Sequence, residues 1–166
     1  MFLTLAGKWH NEIVNILREL CEQSAYYKKV YDGISDPIHI TYKTETYFYR
    51  PDLYAVYKSE SAHSVDVYEI IDTEPEGEIV MDIVSSALTP RINALCVVCS
   101  NDSKLDDVVK KDAKIILNKI FDDEKKSYSR IYTPKYFVHI PRDTRFTKKN
   151  IASIKRRLYV EMNFKP

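Results

Sequence analysis

Two apolar stretches in the first half of the chain each carry a carboxylate, and this combination constrains the fold more than any other feature. The first stretch covers residues 49–57 with Asp52 near its start, and the second covers residues 65–71 with Glu69 in its interior. A charged group inside a buried run is costly unless something pairs with it. Both stretches have the composition of strands. We therefore expect two adjacent strands that bring Asp52 and Glu69 to a shared cation site.

The order of the elements around these strands predicts the fold class. Side chains alternate along a strand, so Glu69 is expected to share one face with Val65, Val67 and Ile71. Arg50-Pro51 follows a Thr- and Tyr-rich stretch over 38–49, which we expect to pair with 53–57 as a hairpin. The whole order is helix, three strands, helix, strand, helix, strand, helix. It predicts an α/β chain (α+β with a mixed sheet) that has helices on both faces.

Periodicity and capping signals place the remaining elements. Residues 26–37 and 122–129 are expected to be connections. Helices are predicted over 10–22, from a cap at Thr73 to Pro90, from a cap at Ser103 to about Phe121, and over 147–158. Strands are predicted over 92–99, which is apolar on both faces, over 130–140, and as a short terminal strand over 160–164.

Length and composition limit the broad class of protein. With 166 residues and 45% hydrophobic residues, the chain is long enough for one domain, 1–166, with its own core. No apolar run is long enough to cross a membrane, and the first residues lack a signal peptide, so we expect an intracellular, cytoplasmic protein. An odd count of three cysteines favours reduced structural thiols. Cys96 and Cys99 lie three apart in a predicted strand, so they should face opposite sides.

Charge is distributed unevenly along the chain. Residues 125–166 hold 12 Lys and Arg against 2 Asp and Glu, whereas residues 1–124 hold 13 against 22. This basic C-terminal segment either faces a polyanion or neutralises the acidic body. The thirteen tyrosines either stack on bases or serve as ordinary strand residues. The candidate nucleic-acid-binding residues are Lys148, Lys149, Lys155, Arg156 and Arg157.

Pro51-Asp52 on one strand, Glu69 on the next, and this order of elements together resemble the PD-(D/E)XK nuclease-like superfamily. The resemblance covers about residues 10–121. It implies a restriction-endonuclease-like core, helix-strand-strand-strand-helix-strand, and metal-dependent hydrolysis of DNA phosphodiester bonds. It also implies that Asp52 and Glu69 bind Mg²⁺ or Mn²⁺ together with the carbonyl of Ile70, and that Glu19 of the first helix assists. Many nucleases of this superfamily are dimers, so a second copy of the chain is a candidate partner.

The sequence departs from the superfamily pattern at one position. The catalytic lysine of such proteins stands two residues after the acid of the third strand, and this chain has Ile71 there. Two carboxylates and a carbonyl still form an oxygen site suited to Mg²⁺ or Mn²⁺. The leading hypothesis is therefore a metal-dependent DNA endonuclease. The alternative is a catalytically inactive nuclease-fold protein that binds nucleic acid or a protein partner.

Each carboxylate also has a purely structural interpretation. Asp52 stands beside Pro51, where an aspartate is common in turns. Glu69 has an explanation as one half of an ion pair with Lys43, Arg50 or another base. Glu19 lies on a predicted amphipathic helix, where a solvated face accounts for it equally well.

Overall fold

A computed structural model describes residues 5–42, 44–59, 64–72, 76–89, 91–100, 111–116, 118–119 and 135–166. The elements, in chain order, are α1 (Leu5–Gln23), β1 (Tyr27–Tyr31), β2 (Ile38–Tyr42), β3 (Glu45–Tyr49), β4 (Leu53–Tyr57), β5 (Val65–Ile71), α2 (Glu76–Leu88), β6 (Ile92–Cys99), α3 (helical residues 111–116), β7 (Tyr136–His139) and α4 (Lys148–Glu161).

A five-stranded mixed sheet in the order β1-β4-β5-β6-β7 forms the centre of the structure. β4 is antiparallel to both β1 and β5, whereas β6 is parallel to both β5 and β7. The predicted mixed α and β architecture is therefore confirmed. This topology also places the start of β4 at the same end of the sheet as the carboxyl ends of β5, β6 and β7.

Two separate cores cover the two faces of the sheet, as the predicted helices on both faces require. One core contains the apolar stripe of α1, including Trp9, Ile13 and Leu17, together with residues of α4. The other contains the apolar face of α2 and the buried side of the β2–β3 pair. Alternation along β5 follows the prediction, because Val67 and Ile71 belong to the second core and Tyr68 and Ile70 to the first.

The three cysteines are free and buried. Cys96 lies in the first core and Cys99 in the second, so the two side chains face opposite sides of β6, as predicted. Burial raises the pKa of Cys21 to about 12, which keeps this thiol protonated. Within the described residues, no helix is long and apolar enough to cross a membrane.

The predicted hairpin between residues 38–49 and β4 is wrong. β2 and β3 pair with each other in a separate two-stranded sheet, with Ile38 opposite Tyr49 and Thr41 opposite Thr46. The partner of β4 on that side is β1, which lies in the stretch expected to be a connection. The sequence of β1 does not show the alternation of a half-buried strand, because Lys28 and Lys29 are both exposed. Exposed lysines are common in edge strands.

The predicted terminal strand over 160–164 is also wrong. Helix α4 begins at its predicted N-cap, Thr147, and continues to Glu161. Beyond the helix, Asn163 has a positive φ of 54°, and Met162 and Phe164 are buried in the first core. Their alternating burial resembles a strand pattern, although the chain there is irregular. The predicted caps at Thr73 and Ser103 and the connection at 122–129 lie outside the described residues.

Candidate acidic cleft

A tight turn at residues 32–35 supports the start of β4, where Asp52 lies. Asp32 accepts hydrogen bonds from the backbone N–H groups of Ile34 (2.7 Å) and Ser35 (3.4 Å), which fixes the turn. Gly33 packs directly on Pro51, since a Cβ at position 33 would lie 2.1 Å from the Pro51 carbonyl oxygen. A glycine is therefore required here by close approach. The contact fixes the backbone immediately before Asp52.

Asp52 and Glu69 meet, as the sequence predicted, across the pairing of β4 with β5. The Asp52 backbone N lies 3.5 Å from Glu69 Oε2, and the N–H of Ile70 donates to Asp52 Oδ2 at 2.8 Å. The other oxygen, Asp52 Oδ1, lies 3.0 Å from His10 Nε2 of α1. Both Asp52 and His10 keep a quarter of their side-chain surface exposed. Asp52 is thus held by β5 on one side and by α1 on the other.

Glu69 is more deeply buried than Asp52, at 6% exposure. The Tyr49 hydroxyl, at the end of β3, donates to Glu69 Oε1 at 2.5 Å, and Ser86 of α2 donates to the Tyr49 oxygen at 3.1 Å. Burial raises the pKa of Glu69 well above its usual value, and the negative charges of Asp82 and Asp52 raise it further. The groups that shift the pKa of Glu69 through their charge are therefore acids and not bases.

A cleft of about 360 Å³ opens over these groups. We call it the acidic cleft. It is lined by Arg50, Asp52, Glu69, Ile70, Ile71, Glu78, Met81 and Asp82. No ion pair joins Arg50 to Glu69 among the described residues, and Lys43, the other predicted partner, lies outside them. Among the described residues that line the cleft, there are thus four acids and one base, Arg50.

Sequence reasoning missed four residues around the pair: His10, Tyr49, Glu78 and Asp82. Glu78 and Asp82 lie four residues apart on α2, which places them on one face of the helix, and this spacing could have indicated a second acidic pair. Tyr49 and His10 carried no such signal, because their roles depend on the β2–β3 pair and on the packing of α1.

The two isoleucines after Glu69 have different environments. The backbone N–H of Ile70 faces the Asp52 carboxylate and donates to it, and the Ile70 side chain packs in the first core. Ile71 occupies the position at which the resemblance expects a lysine, and it is 3% exposed in the second core. No cation therefore enters the cleft from this position.

Glu19 is not brought to the acidic cleft. It forms an ion pair with Lys155 of α4. Nine residues of helix separate it from His10, which amounts to about 13 Å of rise and half a turn of rotation. The residue of α1 that reaches Asp52 is His10 instead.

The five predicted nucleic-acid-binding residues divide into two groups. Lys155 is paired with Glu19, and Arg157 contacts both Glu161 and the carbonyl of His139. These contacts support intramolecular neutralisation for this part of the basic segment. Lys148, Lys149 and Arg156 are exposed on α4 and available to a polyanion.

The donor atoms in the cleft suit a hard divalent cation only in part. Within the described residues, no group of three or more His, Cys, Asp or Glu side chains is arranged to hold a metal ion. Asp52 and Glu69 nevertheless provide carboxylate oxygens, each of which can accept more than one bond. Mg²⁺ is commonly held by one or two carboxylates and keeps several waters. The residues present fit such a partial, water-completed site.

Comparison of the chain with family models, with curated proteins and with solved structures found no match.

Proposed function

We propose that this protein is a metal-dependent, nuclease-like protein that acts on the phosphodiester bonds of DNA. The meeting of Asp52 and Glu69 in one cleft supports this function most directly. When the separate β2–β3 pair is set aside, the order α1, β1, β4, β5, α2, β6 is helix-strand-strand-strand-helix-strand, which also supports the proposal. In this proposal Asp52 and Glu69 hold Mg²⁺ or Mn²⁺, and the Ile70 carbonyl is the third protein ligand.

The surrounding residues have defined supporting roles in this proposal. Tyr49 and Ser86 fix the orientation of Glu69, while His10 and the Ile70 N–H fix that of Asp52. A bound Mg²⁺ would polarise a phosphoryl oxygen and lower the pKa of a coordinated water. A cation also explains how four carboxylates tolerate one another in the acidic cleft, since it would favour the charged form of Glu69.

Ile71 favours a second candidate function, in which the same fold binds nucleic acid without cleaving it. A lysine at this position would add positive charge beside the scissile phosphate. Loss of one group that stabilises the transition state typically costs about 10²–10³ in kcat. The first candidate function therefore predicts slow cleavage of DNA. The second predicts salt-dependent binding of nucleic acid without cleavage.

Plasmid cleavage with Mg²⁺ or Mn²⁺ separates the two. We expect slow nicking by the wild type that is abolished in Asp52→Ala and kept in Asp36→Ala, the same substitution at an exposed aspartate directly after the 32–35 turn. Nicking that persists unchanged in Asp52→Ala would exclude the acidic cleft as its source. Binding without any nicking would favour the second candidate.

A further inference from the structure

A second pocket, which we call the basic pocket, lies between the N-terminal part of α1 and the loop from β7 to α4. Its volume is about 530 Å³. Three cationic side chains line it, Lys8, Arg142 and Arg145, against one carboxylate, Asp143. Within the described residues, neither Lys8 nor Arg145 forms an ion pair. The wall of the basic pocket therefore carries a net positive charge that the described part of the chain leaves uncompensated.

Contacts with the core hold the walls of the basic pocket in place. The Trp9 indole N–H donates to the Pro141 carbonyl at 3.2 Å, which joins α1 to the loop. Arg142 donates from Nε to Asp72 Oδ1 at 2.7 Å, and Ser100 donates to the same oxygen at 2.6 Å. The Arg142 side chain is still 49% exposed, so it has N–H groups left for a ligand, because a guanidinium has five.

The basic pocket and the acidic cleft are neighbours at one end of the sheet. Lys8 in the pocket and His10 beside Asp52 are two residues apart on α1. On the other side, Asp72, which accepts the hydrogen bond from Arg142, directly follows the end of β5 and lies three residues after Glu69. A nucleic-acid strand carries a phosphate at every nucleotide. A strand with one phosphate in the acidic cleft can therefore present further phosphates along this end of the sheet, where the basic pocket lies.

The start of α4 adds to the attraction for an anion. Lys148 and Lys149 occupy its first turn, which contains no acidic residue. The helix dipole favours negative charge at this end, so two lysines there are unfavourable unless an anion is nearby. The volume also lies in the range of about 300–1,000 Å³ that is typical of small-ligand pockets. A nucleotide unit, rather than a phosphate ion alone, has room to bind.

We infer that the basic pocket binds a phosphate group of the nucleic-acid strand on which the acidic cleft acts, with Lys8, Arg142 and Arg145 as its ligands. This inference rests on the proposed function, and it adds a strand-positioning site to it.

Binding of a fluorescently labelled single-stranded oligodeoxynucleotide, followed by anisotropy in EDTA over a series of salt concentrations, tests the inference. The test variant is Lys8→Ala/Arg145→Ala, which leaves the structural contact of Arg142 intact. The matched control is Lys28→Ala/Arg91→Ala, which removes the same charge from the opposite end of the sheet. We expect the test variant to bind at least about tenfold more weakly, with a salt slope reduced by about 0.7 for each cation removed. The control should stay within about twofold of the wild type, because distant charges are screened.

Equal losses in the two double variants would overturn the inference, because they would show diffuse attraction rather than a site. Absence of binding by the wild type at low salt would overturn it as well. Cleavage in Mg²⁺ distinguishes it from the proposed function. If only the test variant loses binding and none of the proteins cleaves DNA, the result supports the phosphate site in the basic pocket and contradicts the proposed hydrolysis. If the wild type cleaves DNA and the test variant has the same KM as the wild type, the result supports hydrolysis and contradicts the phosphate site in the basic pocket.

Discussion

Strand β5 carries two buried carboxylates, Asp66 and Glu69, whose surroundings differ sharply. They are 5% and 6% exposed and lie on opposite faces of the strand. Asp66 accepts hydrogen bonds from Tyr27 at 2.7 Å, from Asn93 at 3.0 Å and from Tyr57. Glu69 accepts a hydrogen bond from one hydroxyl, that of Tyr49, and lies close to the acids Asp52 and Asp82. Burial alone therefore does not distinguish the two carboxylates, whereas the charge of their neighbours does.

The network around Asp66 is internally satisfied. Burial and the neighbouring Asp66 raise the pKa of Tyr27 and Tyr57, so both hydroxyls remain protonated and donate. The Tyr27 oxygen also lies 2.7 Å from that of Tyr68, which extends the network into the first core. A buried polar network whose members all find partners stabilises one arrangement of the core. Asp66 thus has its acceptor oxygens occupied by donors of the fold, whereas burial and the neighbouring acids disfavour the charged form of Glu69.

Substitution of Asp66 should have the largest effect on stability. Asp66→Ala removes the acceptor of the buried Tyr27 hydroxyl and of the half-buried Tyr57 and Asn93 side chains, and loss of a buried hydrogen-bond partner costs about 1–3 kcal/mol. We expect the free energy of unfolding in urea to fall by about 3 kcal/mol or more. Glu22→Ala, at an exposed position on α1, is the control and should change it by less than about 0.5 kcal/mol. Similar losses in both variants would remove the structural role of Asp66.

Addition of Mg²⁺ should stabilise the protein through Glu69 and Asp52 but not through Asp66. A ligand that binds only the folded state adds about 2.7 kcal/mol at 100 times its Kd. We expect Mg²⁺ to raise the thermal midpoint of the wild type and of Asp36→Asn. Asp52→Asn and Glu69→Gln should lose this shift. The same shift in all four proteins would indicate a general salt effect and no cation in the acidic cleft.

The pH dependence of stability should separate the two faces of β5 further. Because the pKa of Glu69 is raised in the folded state, that state binds the proton more tightly than the unfolded chain does. The resulting stabilisation is fully present below the ordinary value of 4.5 and is lost as the pH rises through the folded-state pKa. Without Mg²⁺, Glu69→Gln should therefore be more stable than the wild type at neutral pH and lose that advantage in acid. Urea unfolding at both pH values measures this difference, and a pH-independent difference would contradict it.

Much of the acidic pair was readable from the sequence because it depends on local signals. Alternation along β5 determines which face Glu69 takes, and Pro51 marks the start of the strand that carries Asp52. Their meeting follows from the pairing of adjacent strands, so no long-range information was needed. The wrong assignment of β1 did not affect the prediction that Asp52 and Glu69 meet, because β1 lies on the other side of β4 from β5.

The neighbours that give the pair its character depend on tertiary packing. Tyr49 reaches Glu69 because β2 and β3 form their own sheet, which the predicted hairpin between 38–49 and β4 obscured. His10 reaches Asp52 because α1 crosses this end of the sheet, whereas the resemblance implied Glu19 as the assisting residue of the first helix. Asp66 was passed over for a similar reason: its three donors come from β1, β4 and β6, and none is close to it in sequence.

The smallest expected difference, and the most specific, is between two tyrosine hydroxyls. Tyr49→Phe removes the donor to Glu69 and Tyr57→Phe removes a donor to Asp66, and each should cost about 1 kcal/mol of unfolding free energy. Only the first should change Mg²⁺ binding. The Tyr49 hydrogen bond lowers the pKa of Glu69 against the larger effect of burial, so its loss lets the proton compete better with a cation. Calorimetric titration should therefore show weaker Mg²⁺ binding to Tyr49→Phe, recovering as the pH rises, and wild-type binding to Tyr57→Phe. If the two variants bind Mg²⁺ equally well, Tyr49 supports the fold alone and the difference between the two carboxylates does not extend to their donors.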